Sequence, residues 1–477
     1  MGKKDLSVKP NLSTQIKNAA CEIILSSTSH GFPNILRSTN LAIKLMWTIF
    51  TVLFLGICGY MITAAIISYF NYDVVTVIRV KNEFKPYFPT VTLCNLNYFT
   101  SDEAITLIKP FENSKVFFDP FDLSFDMMAK GISKQDPKFL INSKIFSDLQ
   151  EKLIVYCGYA MEACNKSEFK FYFHPNYGNC YQFNTGYNQN GSKTPLKTTI
   201  VTEKAQGLRL VLNTSVPESL KFITPFTGAI VFIHNHTTDP MMVTGITLSP
   251  KTETNIALSR MFYSSQPKPY SQCETGTNDP NSFSSELYKL VLQNTQFYTQ
   301  TLCVYQCFQR ELIENCDCSV TTFPDFYKAK SCVGQEQTIC LQKVFDMAKN
   351  TDFFTATCYQ ECPLECDGMT FQKTVSTTQY SNAQFEEYLK LSRFTPYFNK
   401  TEVNGNDFTA FSVYYENLGY IDIEESPSME WVDLLSNLGG IAGLFLGVSF
   451  LSFVEIIECV MQIILIFINQ NKINQTK

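Results

Sequence analysis

Glu430 to Asn469 reads EWVDLLSNLGGIAGLFLGVSFLSFVEIIECVMQIILIFIN. The stretch is long enough to cross a bilayer, yet it carries Asp433, Glu455 and Glu458 and four glycines, Gly439, Gly440, Gly443 and Gly447. A plain anchor needs none of these. Carboxylates in a spanning segment are costly in lipid and face a watery cavity or a partner. Placed on one helix at about 100° per residue, Asp433, Asn437, Gly440, Leu444, Gly447, Leu451, Glu455 and Glu458 fall within a stripe roughly 80° wide. Charge at each end attracts a cation, and a bare backbone between them offers carbonyl oxygens. Gly439, Gly443 and Gly447 form a second row that lets neighbouring helices approach, and ordinary helix packing explains that row equally well.

Length adds a constraint. Asp433 to Ile468 as one straight helix would measure ~54 Å against a hydrocarbon core of ~30 Å. The segment must tilt, extend beyond the membrane, or break. A break at Gly447-Val448-Ser449 exposes backbone groups, which is tolerated only where they line water or protein. One such helix cannot enclose a pore, so a channel reading requires an oligomer.

Working back along the chain, Leu45 to Phe70 holds no charged residue and reads as a first transmembrane helix rather than a cleaved signal. Residues 1–44 are polar and basic, with Lys3, Lys4, Lys9, Lys17, Arg37 and Lys44 against Asp5 and Glu22, which favours the cytosolic side. Leu6 stands where a myristoylation signal needs Ser or Thr. With a short tail over 470–477, both termini are expected in the cytosol. Residues 71–430 are then one large extracellular domain, and 431–469 the second span.

Composition supports this division. The chain of 477 residues is 45% hydrophobic and 17% charged, so it is a folded protein of more than one domain. A formal charge of -6 without a long basic run argues against nucleic acid. Fourteen of the 17 cysteines lie between the two apolar segments, an even and dense set that implies disulfides made in an oxidising compartment. Cys21, Cys58 and Cys459 fall outside it and are expected to be free. Sequons at Asn165, Asn190, Asn213, Asn235 and Asn399 place the same region outside the cell.

Segments starting at Val74, Thr90, Phe169, Gly207 and Gly228 are rich in β-branched and aromatic residues and read as strands, as does FTAFSVYYE from Phe408. Strands at both ends of the domain pair only if the chain returns to its start. Between them, SSELYKLVLQNTQFYTQTLCVYQCFQRELIENC has helical spacing, with Leu287, Leu290, Val291, Tyr298 and Leu302 on one face. Cys303 and Cys307 are i, i+4 neighbours, and so are Cys358, Cys362 and Cys366. Two antiparallel helices join cysteines of constant sum, and Cys303 with Cys362 and Cys307 with Cys358 both give 665. Cys316 with Cys340 and Cys318 with Cys332 nest inside, although spacing alone proves no connectivity. Zinc is not expected, because the block has no histidine. Metal binding at His234 and His236 is a weaker reading than a structural one. The chain carries no P-loop, nucleophile elbow or HExxH, so neither an enzyme nor a cofactor is expected.

His30-Gly31 before the first span, FPTVTLCN from Phe88, the cysteine block, and LLSNLGGIAGLFLGVSFLSFVE from Leu434 occur together in this order. In these motifs the chain resembles the degenerin, epithelial sodium channel and acid-sensing ion channel superfamily. SSTSHGFPNI is most similar to the invertebrate FMRFamide-type peptide-gated channels. The resemblance implies an α+β membrane protein with two transmembrane helices per subunit. It also implies a β-sheet palm, a helical thumb, and a homo- or heterotrimer of homologous subunits in the lipid of the plasma membrane.

The resemblance further implies an amiloride-sensitive sodium channel opened by an extracellular peptide, of RFamide type. Gly447, Val448 and Ser449 match the selectivity filter, Gly440 the gating position, and His30-Gly31 a re-entrant loop. Tyr72 and Tyr270 match an aromatic pair coupling thumb to span, with Tyr270 replacing Trp. Leu418-Gly419 match a linker tied to desensitisation, usually Leu-Asn. The implied disulfides are Cys94–Cys180, Cys157–Cys164, Cys273–Cys366, Cys303–Cys362, Cys307–Cys358, Cys316–Cys340 and Cys318–Cys332. Asp73 and Val74 stand where acid-sensing members often carry His, which weakens proton gating. Asn437 replaces an acidic residue, and a ring of Asp433 one turn above it is expected to hold or pass calcium. The other readings are a proton-gated or constitutive member, and a two-span scavenger-type receptor, which needs neither acidic stripe nor glycine row.

Overall fold

The structure, a computed structural model, describes residues 25, 31–109, 143–221, 226–295, 297–320, 323–324, 326–330, 332, 335–349, 356–380, 384, 387 and 407–475. The chain divides into two compact units, Met1–Val75 with Ser426–Lys477, and Thr76–Glu425. Class is mixed α and β, disulfide-rich, with the sheets in the second unit.

The strands in chain order are β1 (Val74–Lys81), β2 (Thr90–Asn95), β3 (Ile154–Tyr159), β4 (Glu162–Ala163), β5 (Phe169–His174), β6 (Gly178–Phe183), β7 (Leu208–Asn213) and β8 (Ala229–His234). Then follow β9 (Ile246–Leu248), β10 (Thr252–Ser264), β11 (Cys273–Glu274), β12 (Leu364–Glu365), β13 (Asp367–Gln379) and β14 (Phe408–Pro427). One sheet has the order β13-β10-β14-β7-β3-β4, with β1 also paired to β14, and the other runs β5-β6-β2-β8-β9. β11 and β12 form a small parallel pair.

The two large sheets share one core. Leu208, Leu210 and Leu212 alternate along β7 and meet Val91 and Leu93 of β2, Val231 of β8, and Phe411 and Val413 of β14. This period-2 placement follows from the pleat, which sends alternate side chains to one face. Phe88, Tyr159, Phe183 and Tyr415 close one end of that core in edge-on and tilted ring contacts. The pairing of β1 with β14 brings the two ends of the stretch between the apolar segments side by side.

β10 and β13 pair antiparallel over their whole length, from Thr252 opposite Gln379 to Ser264 opposite Asp367. The sequence reading omits both strands. β13 reads DGMTFQKTVSTTQ, and its side chains are mostly exposed, so it lacks the apolar alternation that marks a half-buried strand.

The helical block also differs from the one continuous helix that its spacing suggests. It forms two helices, Glu286–Asn294 and Gln300–Cys316, and Tyr298 lies in the connection between them. Thr295 caps the first by donating its hydroxyl to the Val291 carbonyl. Leu287, Val291, Tyr298 and Leu302 are still buried together with Cys303, Cys307, Cys358 and Cys362, while Leu290 is only half-buried. Cys358, Cys362 and Cys366 are not on a helix: the first two sit in a turn closed by the Cys362 N–H on the Cys358 carbonyl, and Cys366 lies between β12 and β13.

Seven disulfides close: Cys94–Cys180, Cys157–Cys164, Cys273–Cys366, Cys303–Cys362, Cys307–Cys358, Cys316–Cys340 and Cys318–Cys332. Cys94 and Cys180 are directly opposite on β2 and β6. Cys58 is free and buried; Cys21 lies outside the described residues. A third helix, Gln335–Ala348, packs Leu341 and Val344 on Phe308 and Leu312. Gln309, fully buried there, donates to the Val320 carbonyl at 2.7 Å and accepts from its N–H at 2.9 Å, so neither amide atom is left without a partner.

Candidate ion-pathway site

The unit of Met1–Val75 with Ser426–Lys477 is built on the helix Leu41–Phe70, whose 30 residues span ~45 Å. Asn40 caps it, its Oδ1 accepting from the Ala42 N–H at 3.0 Å. It is the one described helix that meets both length and hydropathy for a span. A short helix, Gly31–Arg37, packs against it. A Cβ at Gly31 would stand 2.7 Å from the Thr51 Oγ1, so glycine permits that approach. His30 lies outside the described residues.

The second segment is two helices. The outer one, Trp431–Leu446, begins with a reciprocal cap in which the Asp433 carboxylate accepts from the Glu430 N–H at 3.0 Å. That carboxylate sits on the first turn, where the helix dipole favours negative charge. Leu434, Leu438, Ile441 and Phe445 recur at helical spacing, are half-buried and face the first helix, with the Phe54 and Phe445 rings 6.1 Å apart. Asp433, Asn437, Gly440 and Leu444 occupy the exposed face, Leu444 being 80% exposed. Nothing lies within 4 Å of a Cβ built at Gly439 or Gly440, so within a single chain neither glycine answers a steric need.

The outer helix ends at Leu446 because Gly447 takes a left-handed conformation, φ +68°, which glycine adopts without a Cβ penalty. The Gly447 N–H donates to the Gly443 carbonyl at 3.0 Å, and the Val448 N–H reaches back to Ala442 at 3.4 Å. The inner helix then runs Phe450–Gln475. Of tilt, extension and break, the structure has the break at Gly447-Val448-Ser449. The stripe drawn on one straight helix therefore holds only for Asp433 to Leu444. The three intervening residues reset the phase, and Leu451, Glu455 and Glu458 belong to a separate helix. Glu455 is half-buried, and Glu458 is exposed and accepts from Gln462 Nε2 at 3.2 Å.

Leu418-Gly419 lie in an irregularity of β14. Leu258 of β10 faces Tyr415, but Arg260 faces Tyr420, so four β14 residues oppose one of β10. Arg260, 5% exposed, spans the gap. It donates to the Leu418 carbonyl at 2.5 Å and to Glu83 at 2.7 Å, between the rings of Tyr415 and Tyr420 at 5.4 and 5.5 Å. A Cβ at Gly419 would stand 2.7 Å from the Lys81 carbonyl, which explains glycine at this position. Below the irregularity, Lys81 pairs with Asp422 and Arg79 with Glu424 across β1 and β14. Asp422 pushes the Lys81 ammonium pKa up through their hydrogen bond. Arg260 and Glu83 escape a sequence reading because a lone charge carries no pattern, whether inside a strand, as Arg260 is in β10, or in the connection after β1, where Glu83 lies.

Tyr72 has φ +54° and meets the rings of Tyr69 and Phe70. Tyr270 is half-buried in a turn, its N–H on the Pro267 carbonyl. His234 is buried and bonded to Thr92 and the Asn235 carbonyl, and His174 stacks on Phe232; burial pushes both imidazoles down to about 4. His236 is also lowered by burial. Among the described residues no group of three metal-ligating side chains occurs. Asn165 and Asn190 are exposed, Asn213 and Asn235 half-buried, and Asn399 lies outside the described residues.

The sequence pattern of the family described as amiloride-sensitive sodium channel matches residues 24–459, from before the first helix to beyond Glu458. The chain belongs to the amiloride-sensitive sodium channel family. It is 26% identical over 487 aligned positions to the bile acid-sensitive ion channel of Mus musculus, covering 96% of this chain and 90% of that one. Acid-sensing ion channel 1B of Danio rerio is 25% identical, with 88% of this chain and 72% of the relative covered. The epithelial sodium channel gamma subunit of Neoceratodus forsteri is 28% identical over 65% of this chain. The match spans 45% of that subunit's length. Membership in the amiloride-sensitive sodium channel family sets aside the scavenger-type receptor.

Proposed function

We propose that this chain is one subunit of a sodium-permeable cation channel in the plasma membrane, opened by an extracellular peptide. The observation that carries the reading is the interruption at Gly447 in a segment with Asp433 at one end and Glu455 and Glu458 in the part beyond. A helix broken inside an apolar segment is tolerated where backbone lines water or protein, and freed carbonyls there suit a dehydrating cation. Gly447, Val448 and Ser449 form the filter, Gly440 the gate, and Asp433 an outer ring that holds or passes calcium. Glu455 and Glu458 line the inner exit, with His30-Gly31 beneath it. The exposed face of the outer helix turns to the pore of a homo- or heterotrimer, and Gly439 and Gly440, unneeded within one chain, serve its packing and gating.

The large-sheet region is the palm and the disulfide-linked helices the thumb, with Tyr72 and Tyr270 coupling them to the span and Leu418-Gly419 setting desensitisation. Both termini are cytosolic, and Asn165 and Asn190 are the sequons best placed for glycans. Clefts of about 730 and 480 Å³ in the ectodomain are within the usual size range of ligand sites. Peptide rather than proton gating is supported by Asp73 and Val74, which stand where acid-sensing members often carry His. Amiloride block follows the family.

Voltage clamp of oocytes expressing the full chain tests this. Sodium current evoked by RFamide-type peptides and blocked by amiloride is the expected result. Silence to peptides, to acid and to a bulky substitution at Gly440, with the protein at the surface, would overturn the channel reading.

A further inference from the structure

Ser452 stands one turn beyond the interruption and is 7% exposed. Its Oγ accepts a hydrogen bond from the Ser449 N–H at 3.0 Å, and its own N–H donates to the Ser449 carbonyl at 2.9 Å. In an uninterrupted helix the Val448 and Ser449 amides would donate to the carbonyls of Leu444 and Phe445, four residues back. Here both amides are engaged elsewhere, Val448 with Ala442 and Ser449 with Ser452. The Leu444 and Phe445 carbonyls are thereby released from the helical ladder. Gly447 ends the outer helix, but glycine alone is permissive and leaves the next amides free to rejoin the ladder. A hydroxyl at position 452 is what holds the Ser449 amide away.

We propose that Ser452 is a positioning residue for ion selection, holding open the gap between the two half-helices and so fixing the oxygens that meet a permeating cation. The proposal rests on reading Gly447 to Ser449 as the filter. It distinguishes Ser452 from an ordinary helix cap, which would affect assembly and stability but not the choice between sodium and potassium.

The test uses the full chain in oocytes, carrying Gly440→Phe so that current is independent of the ligand, with reversal potentials read in sodium and potassium baths. Ser452→Ala is expected to lower the sodium-to-potassium permeability ratio roughly fivefold, the worth of one neutral hydrogen bond. Ser452→Thr, which keeps the hydroxyl, is expected to restore the ratio. Ser452→Cys, a weak acceptor of similar size, falls between them and replaces the alanine variant if that fails to reach the surface. An unchanged ratio in the alanine or cysteine variant, with robust current, overturns the role of Ser452 and leaves the channel reading intact. Absence of current from the parent and every variant, with surface labelling positive, overturns the channel reading itself and this proposal with it.

Discussion

Acid should destabilise the sheet-bearing unit through two histidines. His174 and His234 are pushed down to about 4 from an ordinary value of 6.5, first by burial. In the unfolded chain each imidazole takes a proton as pH falls below 6.5, whereas in the folded protein it resists until about pH 4. Stability is thus full above pH 6.5 and declines as pH falls through that window. The displacement is worth about 3.4 kcal/mol per histidine at its limit, and about 2 kcal/mol each at pH 5. Asp148 and Asp239, raised by burial, act in the opposite sense, since protonation relieves them. Replacing one histidine leaves that opposing contribution in place, so the difference between variant and parent isolates the imidazole. The assay is thermal unfolding of the purified full chain in detergent from pH 7.5 to 4.5. His234→Gln keeps an acceptor for Thr92, and the variant is expected to lose about 2 kcal/mol less than the parent between pH 7 and 5. Identical pH slopes for parent and variant would refute the argument.

Three further outcomes follow from the geometry. Gly419→Ala is expected to cost about 1–3 kcal/mol by forcing a Cβ against the Lys81 carbonyl, read as a lower melting temperature and an altered decay of current during sustained ligand. Arg260→Met strips Glu83 and the Leu418 carbonyl of their donor; with Glu83 partly exposed the loss is about 1–3 kcal/mol, and a double-mutant cycle with Glu83→Gln should show coupling. Replacing both Cys303 and Cys362 by serine removes a bridge that, with Cys307–Cys358 still closed inside it, shuts a loop of only about 10 residues, and should cost about 3 kcal/mol, measured by denaturant titration of the non-reduced protein.

The apolar strands β2, β7 and β8 were legible because burial on one or both faces leaves a compositional trace. β10 and β13 were not: β10 buries Thr252, Thr254 and Arg260 along with Ile256 and Leu258, which breaks the apolar alternation, and β13 is mostly exposed and held by backbone pairing along 13 residues. Constant spacing among Cys303, Cys307, Cys358 and Cys362 pointed to their pairing, yet the second pair sits in a turn, because a disulfide constrains Cα separation and not helicity. Along Glu430 to Asn469, length against membrane thickness left tilt, extension and break open. Only the backbone at Gly447 distinguishes them. Ser449-Phe-Leu-Ser452 has capping-box spacing, a signal available beforehand. Arg260 had none, because its importance arises where a four-residue stretch of β14 meets β10.

Three residues, Ser428 to Glu430, separate the end of β14 from the helix Trp431–Leu446, and three, Asn71 to Asp73, separate the first helix from β1. The two crossings are tied, the Ser428 N–H donating to the Asp73 carbonyl at 2.8 Å. A strand cannot creep past its neighbour by one position without turning every side chain to the wrong face, so β14 carries a pull as a rod does, whole or not at all. The one joint in that rod is Glu416 to Gly419, where the ladder with β10 lapses. A displacement carried along β14 must therefore either move the rod or bend it at that joint. The strength of the Arg260 clasp sets which of the two requires less force.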